Sequence, residues 1–355
     1  EALARLPVIR KSELLEQQKR ARPFGGFSAV RWGAACKRVF SSPGPLYEPE
    51  GARPDYYRLA RALYAAGFRE GDLVHNTFAY HFTPAGSMME TAAHALGCTV
   101  FPAGVGQTEL QLAAMADLQP NAYVGTPSFL RILLDKADEI GVKPTFTKAF
   151  VSGEAFPPSI RDAFGARGVR ASQAYATADI GLIAYETPGG EGMVVGEDIV
   201  LEIVRPGTGD PVPAGEVGEV VVTTLNPDYP LIRFATGDLS AVMPGTSPCG
   251  RTNLRIRGWL GRADQTAKIK GMFVRPEQVA AFVARHPEVA RARVIASRDG
   301  EMDAMTVMVE TEAEDAAQYE VSVMDTLKLR GRILLVPRGA LPNDGKVIED
   351  QRSYD

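Results

Sequence analysis

Asn121-Ala-Tyr-Val-Gly-Thr-Pro-Ser-Phe-Leu-Arg-Ile-Leu-Leu-Asp-Lys-Ala-Asp-Glu-Ile140 is the stretch on which the fold is decided. Asn121–Val124 is a short apolar run, Gly125 and Thr126 turn the chain, and Pro127–Ile140 carries apolar residues at helical spacing behind a proline start. A buried strand running straight into an amphipathic helix is half of a βαβ unit, and the pattern recurs on both sides. Upstream, Asp72–Phe78 reads as a strand, Pro84–Leu96 as a helix stopped by Gly97, Cys98–Pro102 as a strand and Gln107–Leu118 as a helix. Downstream, Ala149–Ser152 and Pro158–Phe164 continue the scheme. Short buried strands alternating with helices predict a largely parallel sheet covered on both faces. Ligands of such sheets sit beyond the carboxyl ends of the strands. Here those ends carry Tyr80-His81-Phe82, Pro102-Ala103-Gly104, Gly125-Thr126 and Gly153-Glu154.

From about 182 to 262 the period changes. Met193–Val194, Ile199–Val204, Gly218–Thr224 and Leu231–Phe234 are β-branched or alternating runs between Gly, Pro and Asp turns, so a β-rich subdomain is expected. After Gly261 a charged connection leads into a small α+β unit. It has a helix from Pro276 to about Arg285, strands near Arg291–Ala296 and Ala304–Glu310, a helix to about Leu329 and a strand at Arg332–Val336. The expected architecture is therefore α/β: a large part, residues 1–263, with a mainly parallel sheet flanked by helices plus the β-rich subdomain, and a small mobile C-terminal α+β domain, residues 264–355.

Composition excludes several classes. The chain has 355 residues, 45% hydrophobic and 23% charged, the balance of a globular protein of about two domains. Its net charge of −4 argues against nucleic-acid or membrane-surface partners, which demand a basic face. No uninterrupted apolar stretch is long enough to span a bilayer. Three scattered cysteines, Cys36, Cys98 and Cys249, argue against a disulfide framework and for a reducing, cytoplasmic setting. The chain opens with Glu-Ala-Leu-Ala-Arg rather than Met, and an N-terminal piece is expected to be missing.

Four segments read as chemistry as readily as packing. Tyr175-Ala-Thr-Ala-Asp179 presents an aromatic plane and a carboxylate, or else an acidic helix start. In Arg233-Phe-Ala-Thr-Gly-Asp238, Gly237 permits a turn that aims Asp238 outward; two acceptor oxygens suit a vicinal diol such as ribose, and the alternative is a surface turn. Gly261-Arg262-Ala-Asp264 followed by Lys268 and Gly271 is a hinge with a basic edge or a polar linker. Leu341-Pro-Asn-Asp-Gly345-Lys346 holds one lysine on a loop, where a lone lysine is normally just solvated.

Taken in order and spacing, these segments resemble the adenylate-forming superfamily, and within it the phenylacetate–CoA ligase family. The resemblance runs from Leu6-Pro7-Val8 and Lys11 through Gly106-Gln107-Thr108, Gly125-Thr126-Pro127-Ser128, Ser152-Gly153-Glu154, Tyr175–Asp179, Thr236-Gly237-Asp238, Pro248-Cys249-Gly250-Arg251-Thr252 and Gly261–Asp264 to Leu341–Lys346. It implies an enzyme that joins a carboxylate to ATP, releases pyrophosphate and passes the acyl group to CoA, with ATP, Mg²⁺ and CoA as its cofactors. It also implies Lys346 as the adenylation lysine, Asp238 as the ribose carboxylate and Arg262 as the basic residue on the nucleotide. Tyr175, Ala176, Thr177, Gly153 and Glu154 would line the adenine pocket, Asp179 would face Mg²⁺, and Asp264 would be the hinge. Lys268, Lys270 and Gly271 would face CoA. His81, Phe82, Ala103, Gly104 and Ala149 would form a pocket for an aromatic acid, with Phe82 equally readable as core and His81 as gate or structural histidine. The partner is thus a small aromatic acid, and a homodimer is among the implied states.

Three departures stand out. The phosphate loop reads Phe40-Ser-Ser-Pro-Gly-Pro-Leu-Tyr-Glu-Pro49; Ser41, Ser42 and Gly44 fit the family's pattern, but two prolines remove backbone donors and the lysine is absent. Ala178 and Asp179 stand where the family has Thr or Ser and Glu. Ser247-Pro-Cys249-Gly-Arg-Thr-Asn253 keeps one soft ligand of a zinc-suited segment, so no structural zinc is expected. These departures leave an amide synthetase, a non-catalytic nucleotide- or acyl-binding relative and an unrelated nucleotide- or sugar-binding enzyme as alternatives.

Overall fold

The computed structural model describes residues 2–43, 45–263, 265–270, 272–299 and 302–352. Strand β1 (Ile9–Arg10) leads into helix α1 (Lys11–Arg20), followed by an antiparallel hairpin of β2 (Cys36–Ser42) and β3 (Leu46–Gly51). Next come α2 (Ala60–Ala65), β4 (Leu73–Asn76), α3 (Ala85–Ala95), β5 (Thr99–Phe101), α4 (Thr108–Leu118), β6 (Ala122–Gly125), α5 (Pro127–Ile140), β7 (Lys148–Val151), α6 (Pro158–Ala166) and β8 (Arg170–Thr177). Strands β5, β4, β6, β7 and β8 lie side by side in that order, all parallel.

Local chemistry explains the helices. The Thr126 hydroxyl accepts from the Phe129 N–H, Pro127 occupies the first turn, and Gly141 ends α5 at φ +73°. Leu130, Leu133, Leu134 and Ala137 form its buried stripe. On that face of the sheet α4, α5 and α6 enclose Leu112, Tyr123, Leu130, Leu134 and Phe164. On the other face α2 and α3 pack Leu63, Met88 and Met89 over Val74, Val124 and Phe150. Each such side chain withdrawn from water contributes roughly 1.5–3 kcal/mol.

Strands β9 (Gly181–Tyr185) and β10 (Met193–Val195) extend the large sheet antiparallel. A second sheet, in the order β1-β13-β12-β11, uses β11 (Ile199–Val204), β12 (Gly218–Thr224) and β13 (Phe234–Ser240). Strands β14 (Val242–Met243) and β15 (Arg255–Ile256) then return to the large sheet beside β10. The rest of the chain forms β16 (Ala267–Ile269), β17 (Met272–Val274), α7 (Pro276–Ala284), β18 (Arg291–Asp299), β19 (Met302–Glu310), α8 (Glu320–Leu327), β20 (Arg332–Val336) and β21 (Ile348–Asp350). Here β20-β19-β18-β21 share a sheet, and α7 and α8 close a core of Val279, Phe282, Val294, Val307, Tyr319 and Val323 drawn wholly from this segment. Among the described residues no helix is long and apolar enough to cross a membrane.

Two expectations change. Leu231–Phe234 is not a strand ending in a turn: β13 begins at Phe234 and runs through Thr236-Gly237-Asp238 to Ser240. Residues 40–49, read only as a phosphate loop, belong mostly to the hairpin of β2 and β3. Asp264, the expected hinge, together with Gly44 and Gly271, lies outside the described residues.

Candidate active site

The site grows from an irregularity in β13. Pairing with β12 runs through Val222↔Phe234 and Val221↔Ala235, then resumes at Glu219↔Leu239, so Thr236, Gly237 and Asp238 bulge out opposite Val220. Gly237 takes φ +74°, and a Cβ there would press on the Arg262 guanidinium at 2.7 Å. The bulge turns Asp238 toward an isolated bridge with Arg262.

Asp238 is 7% exposed, yet well supplied with donors. Its Oδ1 accepts from Arg262 Nη1 and from Trp259 Nε1, each at 3.0 Å. Its Oδ2 accepts from the Tyr175 hydroxyl at 2.8 Å. Burial and the Asp238 charge push the Tyr175 phenol well above its ordinary range, fixing it as a donor. Trp259, half exposed, escaped the sequence reading; its only sequence signal is that it lies three residues before Arg262.

A second cluster joins α1, the hairpin and the turn after β8. Lys11 Nζ pairs with Asp179 Oδ2 at 3.1 Å, and the Ser42 hydroxyl donates to Glu48 Oε1 at 2.5 Å. Glu48 Oε2 and Asp179 Oδ1 are buried without a hydrogen-bond donor, and burial together with the Asp179 charge pushes the Glu48 carboxyl up to about 8. A proton kept on Glu48 Oε2 would let it donate toward Asp179. The same hairpin places the Ser41 N–H on the Phe82 carbonyl at 2.7 Å. Arg10, Lys11 and Ser12 line a cleft of about 430 Å³ opposite Thr236, Gly237 and Arg262, with Arg275 and Glu277 from the C-terminal segment closing it.

Other expected residues stand apart. Lys346 is exposed and lines a different cavity, of about 280 Å³, between α7 and the second sheet. Its loop is clasped there by Asn343, which accepts from Val217 N–H at 3.0 Å and donates to the Gly215 carbonyl at 3.2 Å. Ala149 is a correction to the expected acid pocket: it lies inside β7, 0% exposed, packed in the core rather than at a strand end. His81 and Phe82 sit on the surface against Val39, Phe40 and Tyr47, while Ala103 and Gly104 lie half-buried after β5. Glu154 accepts from the Ser128 hydroxyl at 2.9 Å and, like Gly153, is exposed. Ala176 and Thr177 end β8, the Thr177 hydroxyl accepting from Ile180 N–H at 3.2 Å. Lys268 lies 5.7 Å over the Phe273 ring, and the Lys270 N–H donates to Asp303 at 2.9 Å.

Asp179 pairs with Lys11, and among the described residues no group of three His, Cys, Asp or Glu side chains is placed to hold a metal. A magnesium ion would therefore reach the site on the phosphates of MgATP, needing at most one or two carboxylates of the chain. Cys249 lies beside the Ser247 hydroxyl at 3.0 Å, whose hydrogen bond holds the thiol down to about 6.

Known proteins share the sequence pattern and the fold. The AMP-binding enzyme family matches residues 55–226. The phenylacetate-coenzyme A ligase of Thermus thermophilus is 33% identical over 327 residues, 87% of this chain and 72% of that protein. That of Aromatoleum evansii is 32% identical over 329 residues, covering 88% and 73%. Among solved structures, 2-hydroxyisobutyryl-CoA ligase in the postadenylation state with 2-HIB-AMP superposes with a TM-score of 0.70 at 27% identity, covering 98% of this chain and 80% of that one. Its thioesterification state, with 2-HIB-AMP and CoA, gives 0.68 at 26% identity. Family match, overall identity and fold converge, and the chain belongs to the phenylacetate–CoA ligase family of adenylate-forming enzymes, the AMP-forming acid–CoA ligases.

Proposed function

We propose that the chain activates an aromatic carboxylic acid with MgATP and transfers the acyl group to CoA. In the first step a carboxylate oxygen attacks the α-phosphorus and pyrophosphate leaves. In the second the CoA sulfur attacks the acyl carbon, AMP leaves and the thiol proton goes to solvent. The observation carrying the nucleotide assignment is the Asp238 carboxylate, held by Tyr175, Trp259 and Arg262 at the edge of a cleft with cations on its far wall. A buried carboxylate among fixed donors suits the two hydroxyls of ribose.

Two anionic substrates meeting at phosphorus need positive charge around the transition state. The phosphate loop lacks a lysine, and Arg10 and Lys11, on the cleft wall, supply cations in its place. Lys346 adds the charge needed for adenylation when residues 264–355 turn about the link near Asp264, and Lys268 and Lys270 then face CoA in the second step. Tyr175 and the Gly153-Glu154 segment serve the adenine.

Two observations favour a second reading. The likeness to 2-hydroxyisobutyryl-CoA ligase covers 98% of the chain, and Ala149, one of the residues assigned to a flat ring, is sealed in the core. That reading makes the acid a small branched 2-hydroxy acid. A pyrophosphate-release screen over arylacetic, benzoic and short 2-hydroxy acids, with and without CoA, separates the two. Turnover with arylacetic acids that depends on CoA is the expected result; turnover confined to short acids overturns the aromatic assignment, and product formed only when an amine is added overturns CoA as acceptor.

A further inference from the structure

A buried polar chain outside the residues assigned above ends on the loop after β5. His75, in β4, is 1% exposed, with its ring stacked on Phe101 and tilted against Phe146. Its Nε2 lies 2.8 Å from Oε1 of Gln111, one turn into α4 and 3% exposed. Gln111 Nε2 in turn donates to the carbonyls of Gly104 at 2.9 Å and Gly106 at 2.7 Å. The direction of the chain is forced. An amide whose nitrogen serves two carbonyls must turn its oxygen to the ring, so the imidazole carries its proton on Nε2. Burial keeps the ring from taking a second proton. A glutamate at 111 would set a carboxylate against two carbonyl oxygens.

What this strut holds does not hold itself. Gly104, Gly106 and Gln107 are all left-handed, at φ +70°, +68° and +52°, and the last is unfavourable for a residue with a side chain. The Gly104 N–H donates to the Asn76 carbonyl at 3.0 Å, which ties the loop to the carboxyl end of β4. There it presents Val105, 55% exposed, on the side of the sheet where α/β folds take ligands.

We propose that Gln111, backed by His75, is a positioning residue that sets residues 102–107 as one wall of the acid pocket and so governs which acid is chosen. The proposal rests on the reading that Ala103 and Gly104 face the acid. Its test uses the full chain and three variants. Gln111→Leu keeps the volume and removes the donors, His75→Phe keeps the ring stack and removes the N–H, and Val105→Ala alters the loop surface without touching the strut. For each, kcat/KM is measured over a series of arylacetic and short aliphatic acids, with KM for ATP alongside.

Gln111→Leu is expected to raise KM for the preferred acid about tenfold, as two lost hydrogen bonds imply, and to compress the ranking of acids. KM for ATP should stay within about twofold, a split that general destabilisation would not produce. His75→Phe should move the ranking in the same direction by less, and decides the matter if Gln111→Leu does not fold. A ranking that shifts in Val105→Ala but not in the strut variants overturns the role of Gln111. A ranking that shifts in none of the three overturns the proposal through the underlying placement of the loop.

Discussion

Asp238 accepts Trp259 and Arg262 on one oxygen and Tyr175 on the other, three of about four positions a carboxylate offers. A ribose hydroxyl donating to Asp238 would take the last position. Asp238→Ala is expected to weaken ATP binding about tenfold or more, the scale of hydrogen bonds to a charged group; titration calorimetry with ATP checks it, and unchanged affinity removes the ribose role. Glu48 supports a prediction of a different kind. Its carboxyl is held up to about 8 against 4.5 when free, because it is buried facing Asp179. The folded chain therefore keeps a proton that the unfolded chain releases. Stability from this group is complete below about pH 4.5 and is lost as pH rises through 8. Between pH 6 and 9 the melting temperature should fall. Glu48→Gln, which donates to Asp179 at any pH, should flatten that slope, and an unaltered slope would show that no shared proton exists.

The elements read most easily from sequence were those whose signals are local. Helix α5 carries its cap, its proline, its apolar stripe and its terminal glycine within the residues 126–141. The parallel strands announce themselves as short apolar runs because both faces are buried. Hairpin β2–β3 was missed because its pairing is the information: Arg38 and Val39 are exposed, Pro43 and Pro45 read as loop, and only the ladder from Cys36↔Gly51 to Ser42↔Leu46 makes a strand of either arm. Gly237-Asp238 looked like a turn because a bulge and a turn ask for the same residues. The family resemblance pointed to Asp238 and Arg262 but not to Trp259, whose indole meets the carboxylate only through the fold. Gly125, between β6 and α5, shows how tightly the strand ends are packed. A Cβ there would collide with the Thr77 hydroxyl oxygen and the Tyr123 hydroxyl, themselves hydrogen-bonded at 2.8 Å. Gly125→Ala is expected to cost about 1–3 kcal/mol by overpacking, read from the urea midpoint; a midpoint equal to that of the parent would mean that the strand end gives way freely.

At the scale of the molecule, the C-terminal segment is seated so that Lys346 and the Asp238 cluster open onto separate cavities. Arg10, bonded to Glu219 at 2.9 Å, also reaches Glu277 of α7 at 3.4 Å, and Asn343 clasps Val217 and Gly215. Within the segment, Gln265 accepts from the N–H groups of Val347 and Ile348 at 2.7 and 3.0 Å, so the lysine loop travels with the residues next to Asp264. If Lys346 acts on the triphosphate, the Asn343 clasp has to open before adenylation and close again afterwards. The clasp is two neutral hydrogen bonds, each worth about 0.5–1.5 kcal/mol, enough to bias the seating about tenfold without locking it. Asn343→Ala should therefore speed single-turnover pyrophosphate release and slow thioester formation from a pre-made acyl-adenylate, each by up to about tenfold. Lys346→Ala should abolish the first step and spare the second. Opposite effects of Asn343→Ala on the two steps are the signature of a shifted equilibrium between two seatings, since loss of folding alone lowers both. If Asn343→Ala slows both equally while Lys346→Ala slows only adenylation, the lysine keeps its role and the clasp has none. If Lys346→Ala slows both steps equally, the lysine does not divide its work between two seatings, and the rotation of the C-terminal segment loses its chemical reason.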